Sequence, residues 1–433
     1  MAPSVHRRRF ATAAGLYLSV ALGILGTIAA ARLLGLEAFG RFATVVAVVG
    51  LAQTLLDLTV EESLTKFGFR YLAGEEWGKL HRLFRRALEL KLVGGALATL
   101  ILLAFAPFAD TVFGSDGLTG PMLAAAAIPL LASPENVSAS ALLLRGRYDL
   151  RGGLLSVTMA IRLVAILVGA SFGVTQALVA IAVGQLVATV VAGTVGALAL
   201  RRFPAGTDAS LASDRREIVS FVVHSSVATG VVSLRTALTP VLLGVVAGTT
   251  QVGYLRVAMA PQSGFAAASA PVRLVLLTEQ TRDWEHGREG SVLRGVRRYS
   301  LAAAGVAAVS LPIFLVLMPW LVRVVFGSEY LPAVDAARIV LVSAAILLVL
   351  GWSKSLPVTI GRPRLRIVTH GLETIVLLPL VVVLGAEWGV TGAAVAILVS
   401  TVVFAAAWAV VLVRLREELR SGGRLAAPTP AGP

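Results

Sequence analysis

The sequence predicts an all-α, polytopic membrane protein with about twelve transmembrane helices, arranged as two parallel six-helix lobes around a central cavity. Three observations support this fold class. Hydrophobic residues make up 57% of the 433 residues and charged residues only 14%, whereas about a quarter of an ordinary soluble domain is charged. The apolar residues fall into twelve runs long enough to cross a bilayer. Local motifs of the first half recur in the second half in the same order.

The twelve runs approach or exceed the roughly 20 residues that a spanning helix requires. Glycine, proline or charged residues separate successive runs. The first run follows Arg7-Arg8-Arg9, but its apolar core exceeds the roughly 7–15 residues of a cleaved signal, so we expect an uncleaved first helix. The predicted spans are 11–34, 40–62, 88–109, 120–144, 153–173, 176–199, 218–247, 252–277, 300–325, 332–357, 365–385 and 389–413.

Basic residues concentrate in alternate loops. Seven alternate segments hold 29 of the 38 lysine and arginine residues, and the segments between them are short and nearly free of both. Because basic loops stay on the cytoplasmic side, we expect a cell-membrane protein with both termini in the cytoplasm. The seven segments are 1–10, 63–91, 145–152, 200–217, 278–298, 358–367 and 414–433.

Composition and motifs also exclude several function classes. The apolar content rules out a soluble enzyme, a disordered chain and a nucleic-acid binder, although the net charge is +14. There is no cysteine, the five histidines are scattered, and neither a nucleotide-binding loop nor a hydrolase motif occurs. We therefore expect no cofactor, no metal site and no catalytic residues.

An internal repeat divides the chain in two. Five motifs of the first half match motifs of the second half at offsets of 212 to 216 residues, and each match falls at a loop or a helix end. Two six-helix repeats that enter the membrane from the same side are parallel, and two such lobes suit alternating access. The sequence therefore predicts an N-terminal lobe, a cytoplasmic linker, a C-terminal lobe and a disordered tail, at 1–200, 201–217, 218–413 and 414–433.

Charged residues inside apolar spans are the candidate site residues, since a charge in a bilayer costs about 3 kcal/mol unless it is paired or hydrated. Arg162 is the deepest cation, and Glu135 on the preceding span lies at similar depth. We expect the two to face each other or to share one polar cavity. They form either a structural ion pair or a switchable pair that releases Arg162 to an anion or Glu135 to a cation.

Further charges extend this set. Arg235 lies among serine and threonine residues in a long run, which favours a kinked, cavity-lining helix over simple packing. Asp57 and Glu61 are one helical turn apart, either as a charged helix end or as a cation site. The other candidates lie nearer the span ends: Arg32 and Arg256 as substrate contacts, and Glu373, one turn after His370, and Lys354 as coupling or gating groups.

The segment before the third span reads as an interfacial amphipathic helix. Trp77, Leu80, Leu83, Phe84 and Leu88 recur at helical spacing, with three arginines on the other face, at positions 82, 85 and 86. Such a helix anchors a protein to anionic lipid more often than it binds a protein partner.

The chain resembles the bacterial polysaccharide flippases, which transport lipid-linked oligosaccharides of the O-antigen type within the multidrug/oligosaccharidyl-lipid/polysaccharide exporter superfamily. The resemblance rests on the turn Arg32-Leu-Leu-Gly-Leu-Glu-Ala-Phe-Gly-Arg-Phe42, the helix end Asp57-Leu-Thr-Val-Glu-Glu-Ser-Leu-Thr-Lys-Phe67, Gln251-Val-Gly-Tyr-Leu-Arg-Val-Ala258 and Gly361-Arg-Pro363. Thr59 stands where the family usually has glycine, and Leu255 displaces the usual tyrosine register.

The resemblance implies a transporter that flips a sugar linked to polyprenyl pyrophosphate from the inner to the outer leaflet. Its implied partners are the lipid-linked glycan, membrane lipids and the glycan polymerase and glycosyltransferase machinery. Arginine suits a pyrophosphate because guanidinium groups bind phosphate in a bidentate way. Two alternatives stay open: an H⁺- or Na⁺-coupled drug or metabolite exporter of the same superfamily, and an integral-membrane glycan polymerase or ligase.

Overall fold

Helices form all of the regular structure in the described part of the chain. The computed structural model describes residues 5–56, 59–207, 209–268, 280, 284, 289–360, 362 and 364–420. The first half contains α1 (Val5–Leu34), α2 (Leu36–Leu56), α3 (Val60–Ala73), α4 (Trp77–Phe105), α5 (Ala109–Phe113), α6 (Thr119–Ala125), α7 (Ile128–Ala132), α8 (Glu135–Leu144), α9 (Tyr148–Ala170) and α10 (Val174–Leu200).

The second half continues with long helices and short connections. Turns of 3-10 helix lie at Ala106–Phe108, Ser328–Ala333 and Gly351–Lys354. The remaining helices are α11 (Arg215–Ala247), α12 (Thr249–Ala268), α13 (Glu289–Val325), α14 (Val334–Val349), α15 (Leu356–Thr359) and α16 (Arg364–Arg420).

The all-α, multi-pass membrane fold is confirmed. Within the described ranges, nine segments are long and apolar enough to cross a membrane. One of them, Arg364–Glu418, contains two of the predicted spans, because the backbone of Gly389 (φ 57°, ψ −133°) interrupts α16. The helices α11 and α12 lie where the seventh and eighth spans are predicted.

Three predicted spans differ from the helices in their boundaries. The second span, predicted to end at 62, is divided, since α2 ends at Leu56 and α3 begins at Val60. The amphipathic segment is not a separate helix, because α4 runs without a break from Trp77 to Phe105. The fourth span is broken into α6, α7 and α8, with Pro129 and Pro134 at the breaks, because proline cannot continue the helical hydrogen-bond ladder.

Glycines with positive φ end matching helices in the two halves, in agreement with the predicted repeat. Such a φ is strained for residues with a Cβ atom, so it marks positions where a glycine turn is required. Three pairs lie 213, 213 and 216 residues apart: Gly35 (φ 73°) with Gly248 (φ 87°), Gly114 (φ 57°) with Gly327 (φ 124°), and Gly173 (φ 123°) with Gly389 (φ 57°).

The chain forms two compact units, Met1–Gly253 and Tyr254–Pro433. In the first unit, α9 packs against α1 and α10, and α2 packs against α11. In the second unit, α14 packs against α13 and α16. The helix α11 thus contacts the first half of the chain, although it follows the predicted linker, and the division into two lobes at 201–217 stays a prediction.

Acidic residues at the start of α11 attach it to α3 and α4. The Asp214 carboxylate accepts hydrogen bonds from the Tyr71 hydroxyl at 2.8 Å and from Lys79 Nζ at 3.2 Å. The Glu217 carboxylate accepts bonds of 2.7 and 2.9 Å from Arg70 and one of 3.2 Å from Lys66. These charge-assisted bonds hold the linker and the first turn of α11 against α3 and α4.

Candidate functional site

A chain of hydrogen bonds crosses the first unit at the break before α8. Glu135 is the first residue of α8. Its Oε1 atom accepts a bond of 2.8 Å from the Thr158 hydroxyl of α9, and its Oε2 atom accepts one of 3.0 Å from the Gln185 amide of α10. Gln185 also donates to the Thr189 hydroxyl at 3.1 Å, and Thr189 donates to the Leu131 carbonyl at 2.7 Å. Neutral donors on two other helices therefore hold this carboxylate.

Glu135 also lines a cavity of about 220 Å³. Polar groups of Gln53, Ser133 and Asn136 share its wall with Gly94 and Gly95 of α4. A Cβ atom on Gly95 would lie only 2.9 Å from the Leu130 Cα atom. Glycine at this position therefore allows α4 to pass close to α7. Polar walls and this volume suit several water molecules, each of which needs about 30 Å³.

An ion pair with a buried lysine joins α3 to α4 in the same unit. Lys91 Nζ lies 2.7 Å from Glu61 Oε1, with side-chain exposures of 1% and 28%. In the sequence, Lys91 falls at the end of the basic segment 63–91, and its pairing with Glu61 is not predicted. The sequence does contain a pattern that indicates the burial of Lys91, because this residue continues the helical register of the amphipathic segment directly into the apolar run that follows it.

The predicted ion pair of Arg162 with Glu135 is wrong, and the alternative that the two share one polar cavity stays a prediction. Both carboxylate oxygens of Glu135 are bound by Thr158 and Gln185, and no carboxylate of the described residues forms an ion pair with Arg162. Arg162 is half-buried in α9. Since Thr158 precedes it by four residues, the two side chains lie one above the other on the same face of the helix.

The other three predicted substrate arginines occupy different settings. Arg235 is half-buried in α11, where the Thr239 hydroxyl donates to its carbonyl at 2.8 Å, one residue before Pro240. Arg32 is exposed in the last turn of α1. Arg256 is half-buried in α12, in the second unit. The convergence of these arginines on one cavity stays a prediction.

A buried carboxylate of the second unit contacts a histidine of its own helix. Glu373 Oε2 lies 3.1 Å from His370 Nδ1, one turn earlier in α16, and both side chains are buried. The His370 ring stacks on Phe404 with centroids 4.9 Å apart. Trp408 packs edge-on against both Phe404 and Trp352, so aromatic rings close off this side of the pair.

The remaining predicted coupling residues are Lys354 and Asp57. Lys354 is exposed at the end of the 3-10 turn Gly351–Lys354. Asp57 lies outside the described residues, so its expected pairing with Glu61 stays a prediction. In the described part of the chain, no group of three or more histidine, aspartate or glutamate side chains is placed to hold a metal ion.

Residues 7–270 match a protein family described as "Polysaccharide biosynthesis protein". Among curated proteins, no sequence matches the chain.

Several solved structures share the fold across nearly the whole chain. An inward-facing multidrug resistance MATE family transporter of the MOP superfamily aligns with a TM-score of 0.71 and 14% identity, covering 92% of this chain and 96% of the other. The lipid II flippase MurJ, in its inward closed conformation, aligns with a TM-score of 0.70 and 12% identity, covering 94% and 87%. A MOP superfamily transporter from Pyrococcus furiosus, described as having a binding pocket of reverse polarity, aligns with a TM-score of 0.57 and 13% identity, covering 94% and 96%.

Proposed function

The chain belongs to the polysaccharide biosynthesis protein family, and we propose that it flips a lipid-linked oligosaccharide precursor from the cytoplasmic to the outer leaflet of the cell membrane. The carrier is a polyprenyl pyrophosphate, and the transport cycle is alternating access. The fold shared with MATE transporters and with a lipid II flippase supports this proposal.

The position of Arg162 is the observation that supports the proposal most strongly. Its guanidinium is half-buried within an apolar span, and no carboxylate of the described residues neutralises it. A cation in such a position is costly unless a ligand or water compensates its charge. A pyrophosphate supplies that compensation, because each of its phosphates presents two oxygens to the planar guanidinium.

The remaining predicted arginines complete the substrate site in this proposal. Arg235 offers a second half-buried guanidinium in the first unit, on α11. Arg32 and Arg256 contact the head group nearer the ends of their helices. The lipid chain stays in the bilayer while the pyrophosphate and the sugars cross in the shielded, arginine-bearing cavity.

Coupling and gating belong to the carboxylates within the helices. Glu135 and Glu61 bind partners on neighbouring helices, so their bonds change when those helices move. Glu373 takes part through its contact with His370, and Lys354 and Asp57 act at the ends of their spans. In this proposal both termini lie in the cytoplasm, and the glycan polymerase and glycosyltransferases act before and after the flip.

The second candidate is a cation-coupled exporter of a drug or metabolite. One observation favours it: Glu135 lines a polar cavity that can hold water, which suits an H⁺ or Na⁺ site. A glycan polymerase or ligase has no comparable support, because the solved proteins that share the fold are described as transporters or a flippase.

A leaflet assay separates these candidates. The purified full chain is reconstituted into liposomes that contain a polyprenyl-pyrophosphate oligosaccharide with a fluorophore on the sugar, and an impermeant reductant bleaches the outer leaflet. We expect the protected fraction to fall faster than in protein-free vesicles. A protected fraction that does not move, together with gradient-driven efflux of a cationic dye, would overturn the flippase and establish the exporter.

A further inference from the structure

A groove of about 760 Å³ lies between α4 and the start of α11, on the predicted cytoplasmic side of the first unit. It shares no residue with the cavity at Glu135 and includes none of the predicted substrate arginines. Its floor is apolar and buried, formed by Leu83 and Ala87 of α4 together with Val60 and Val222. The amphipathic face singled out in the sequence therefore borders an open groove.

One end of the groove is basic. Arg82, Arg86 and Arg215 line it, with Glu89 as the acidic residue among the lining side chains. Glu89 is shared between Arg86, at 2.7 Å, and Arg85, at 3.2 Å. The lining therefore carries a net charge of +2, which favours an anionic occupant.

Neighbouring acidic groups are engaged by other residues. Asp214 is held by Tyr71 and Lys79, and Glu217 by Lys66 and Arg70. The hydroxyl bond from Tyr71 lowers the pKa of Asp214, and the bonds from Arg70 lower the pKa of Glu217 to about 2, so both stay ionised in these pairs.

The other end of the groove is apolar and exposed. Val93 is 57% exposed and Val223 is 51% exposed, each about two turns beyond the arginine on its own helix. Seven to eight residues of helix correspond to roughly 10–12 Å along its axis. Both walls belong to predicted membrane helices, so this end faces acyl chains, and the occupant comes from the bilayer.

We infer that the groove binds one anionic phospholipid of the cytoplasmic leaflet. Its phosphate lies among Arg82, Arg86 and Arg215, and the first part of one acyl chain lies along Leu90, Val93 and Val219. Arginine near an anionic head group and an apolar wall below it are the two features that lipid head-group sites combine. A bound phosphate joins α4 to α11, alongside the ion pairs of Asp214 and Glu217.

Native mass spectrometry of the detergent-purified full chain tests this inference. The protein is titrated with a phosphatidylglycerol and, separately, with a phosphatidylcholine of the same chains. We expect the first phosphatidylglycerol to bind more tightly than phosphatidylcholine. The triple variant Arg82→Gln, Arg86→Gln, Arg215→Gln should weaken phosphatidylglycerol binding about 100-fold, since each basic residue near a lipid phosphate contributes roughly a factor of five.

Two further variants separate the site from general charge. A matched triple variant removes exposed arginines elsewhere, Arg201→Gln, Arg202→Gln and Arg416→Gln, and should bind phosphatidylglycerol as the wild type does. Ala212→Trp fills the groove at an exposed lining position without removing charge, and should also weaken binding.

Two outcomes would overturn the inference. One is phosphatidylglycerol affinity that the groove variants leave unchanged. The other is displacement of phosphatidylglycerol by an equimolar polyprenyl diphosphate that binds more tightly, which would make the groove a substrate site. Because this experiment measures lipid binding only, its result does not depend on the result of the leaflet assay.

Discussion

The two units hold the carboxylates of their helices in different ways. In the first unit, Glu61 and Glu135 bind partners on other helices: Lys91 on α4, Thr158 on α9 and Gln185 on α10. In the second unit, Glu373 is paired with a histidine of its own helix, one turn away. The first arrangement depends on how helices are placed against each other, whereas the second moves with its helix.

This difference assigns different roles to the carboxylates. Bonds between helices must break or exchange when those helices shift, so Glu61 and Glu135 are suited to conformational coupling. The pair of Glu373 and His370 keeps its geometry through such a shift, so it is suited to a local change of protonation. Mutations should therefore affect stability more strongly in the first unit.

The largest effect is expected from breaking the ion pair of Lys91. Glu61→Gln removes a carboxylate that lies 2.7 Å from a lysine ammonium with 1% exposure, and removal of one partner of a buried pair costs up to about 3 kcal/mol. We expect a clear loss in the thermal unfolding midpoint in detergent. The double variant Glu61→Gln, Lys91→Met should recover most of it, and a double variant as unstable as the single one would contradict this assignment.

A smaller loss is expected at the break before α8. Glu135→Gln keeps the shape of the side chain, but its amide has only one oxygen that can accept a hydrogen bond, from either Thr158 or Gln185. Its NH₂ group then lies against the second of these two donors. Loss of one buried hydrogen bond costs about 1–2 kcal/mol. Glu37→Gln, on a glutamate side chain that is 82% exposed, is the matched control, and its unfolding midpoint should stay at the wild-type value.

The second unit should tolerate the same substitution better. Glu373→Gln retains a carbonyl oxygen that accepts from the His370 ring within the same helix, and it removes a buried charge. The loss in the unfolding midpoint should be smaller than for Glu135→Gln. A larger loss in the unfolding midpoint for Glu373→Gln than for Glu135→Gln would contradict the expected difference between the two units.

The smallest effect concerns acid stability at the start of α11. The bonds from Arg70 lower the pKa of Glu217 to about 2 from an ordinary 4.5. A carboxylate with a lowered folded-state pKa stabilises the fold above its unfolded pKa and loses that contribution as the pH falls towards the folded value. The unfolding midpoint should therefore stay level above about pH 5 and decline between about pH 4 and pH 2.

Glu217→Gln provides the control for this pH dependence. The variant lacks the titrating group, so its decline over the acidic range should be shallower than that of the wild type. Equal slopes would show that the attachment of α11 to α3 does not depend on this carboxylate.

Sequence alone predicts the spans well, because bilayer thickness fixes the length of an apolar run. It also identifies the repeat, since the turns that require glycine with positive φ recur in both halves, as at Gly35 and Gly248. Breaks within spans were less evident. Pro129 and Pro134 interrupt the fourth span and place Glu135 at a helix start, where side chains of two other helices reach it.

Pairings between helices could not be predicted, since they depend on how each helix rotates about its axis. Equal depth suggested that Glu135 faces Arg162, but Thr158, one turn away on the same helix, binds the carboxylate. Lys91 was assigned to a basic loop because lysine at a span end ordinarily stays near the cytoplasm. Its burial follows from the early start of α4 at Trp77.

The most direct test of the proposed function is the leaflet assay on variants of Arg162. Arg162→Gln should slow the flipping of the lipid-linked oligosaccharide at least tenfold, because a bidentate, charge-assisted contact to phosphate is lost. Arg162→Lys should recover only part of the rate, since an ammonium group cannot bind in the same fork. Arg202→Gln, at an exposed position, should flip at the wild-type rate, and an unchanged rate for Arg162→Gln would contradict the account.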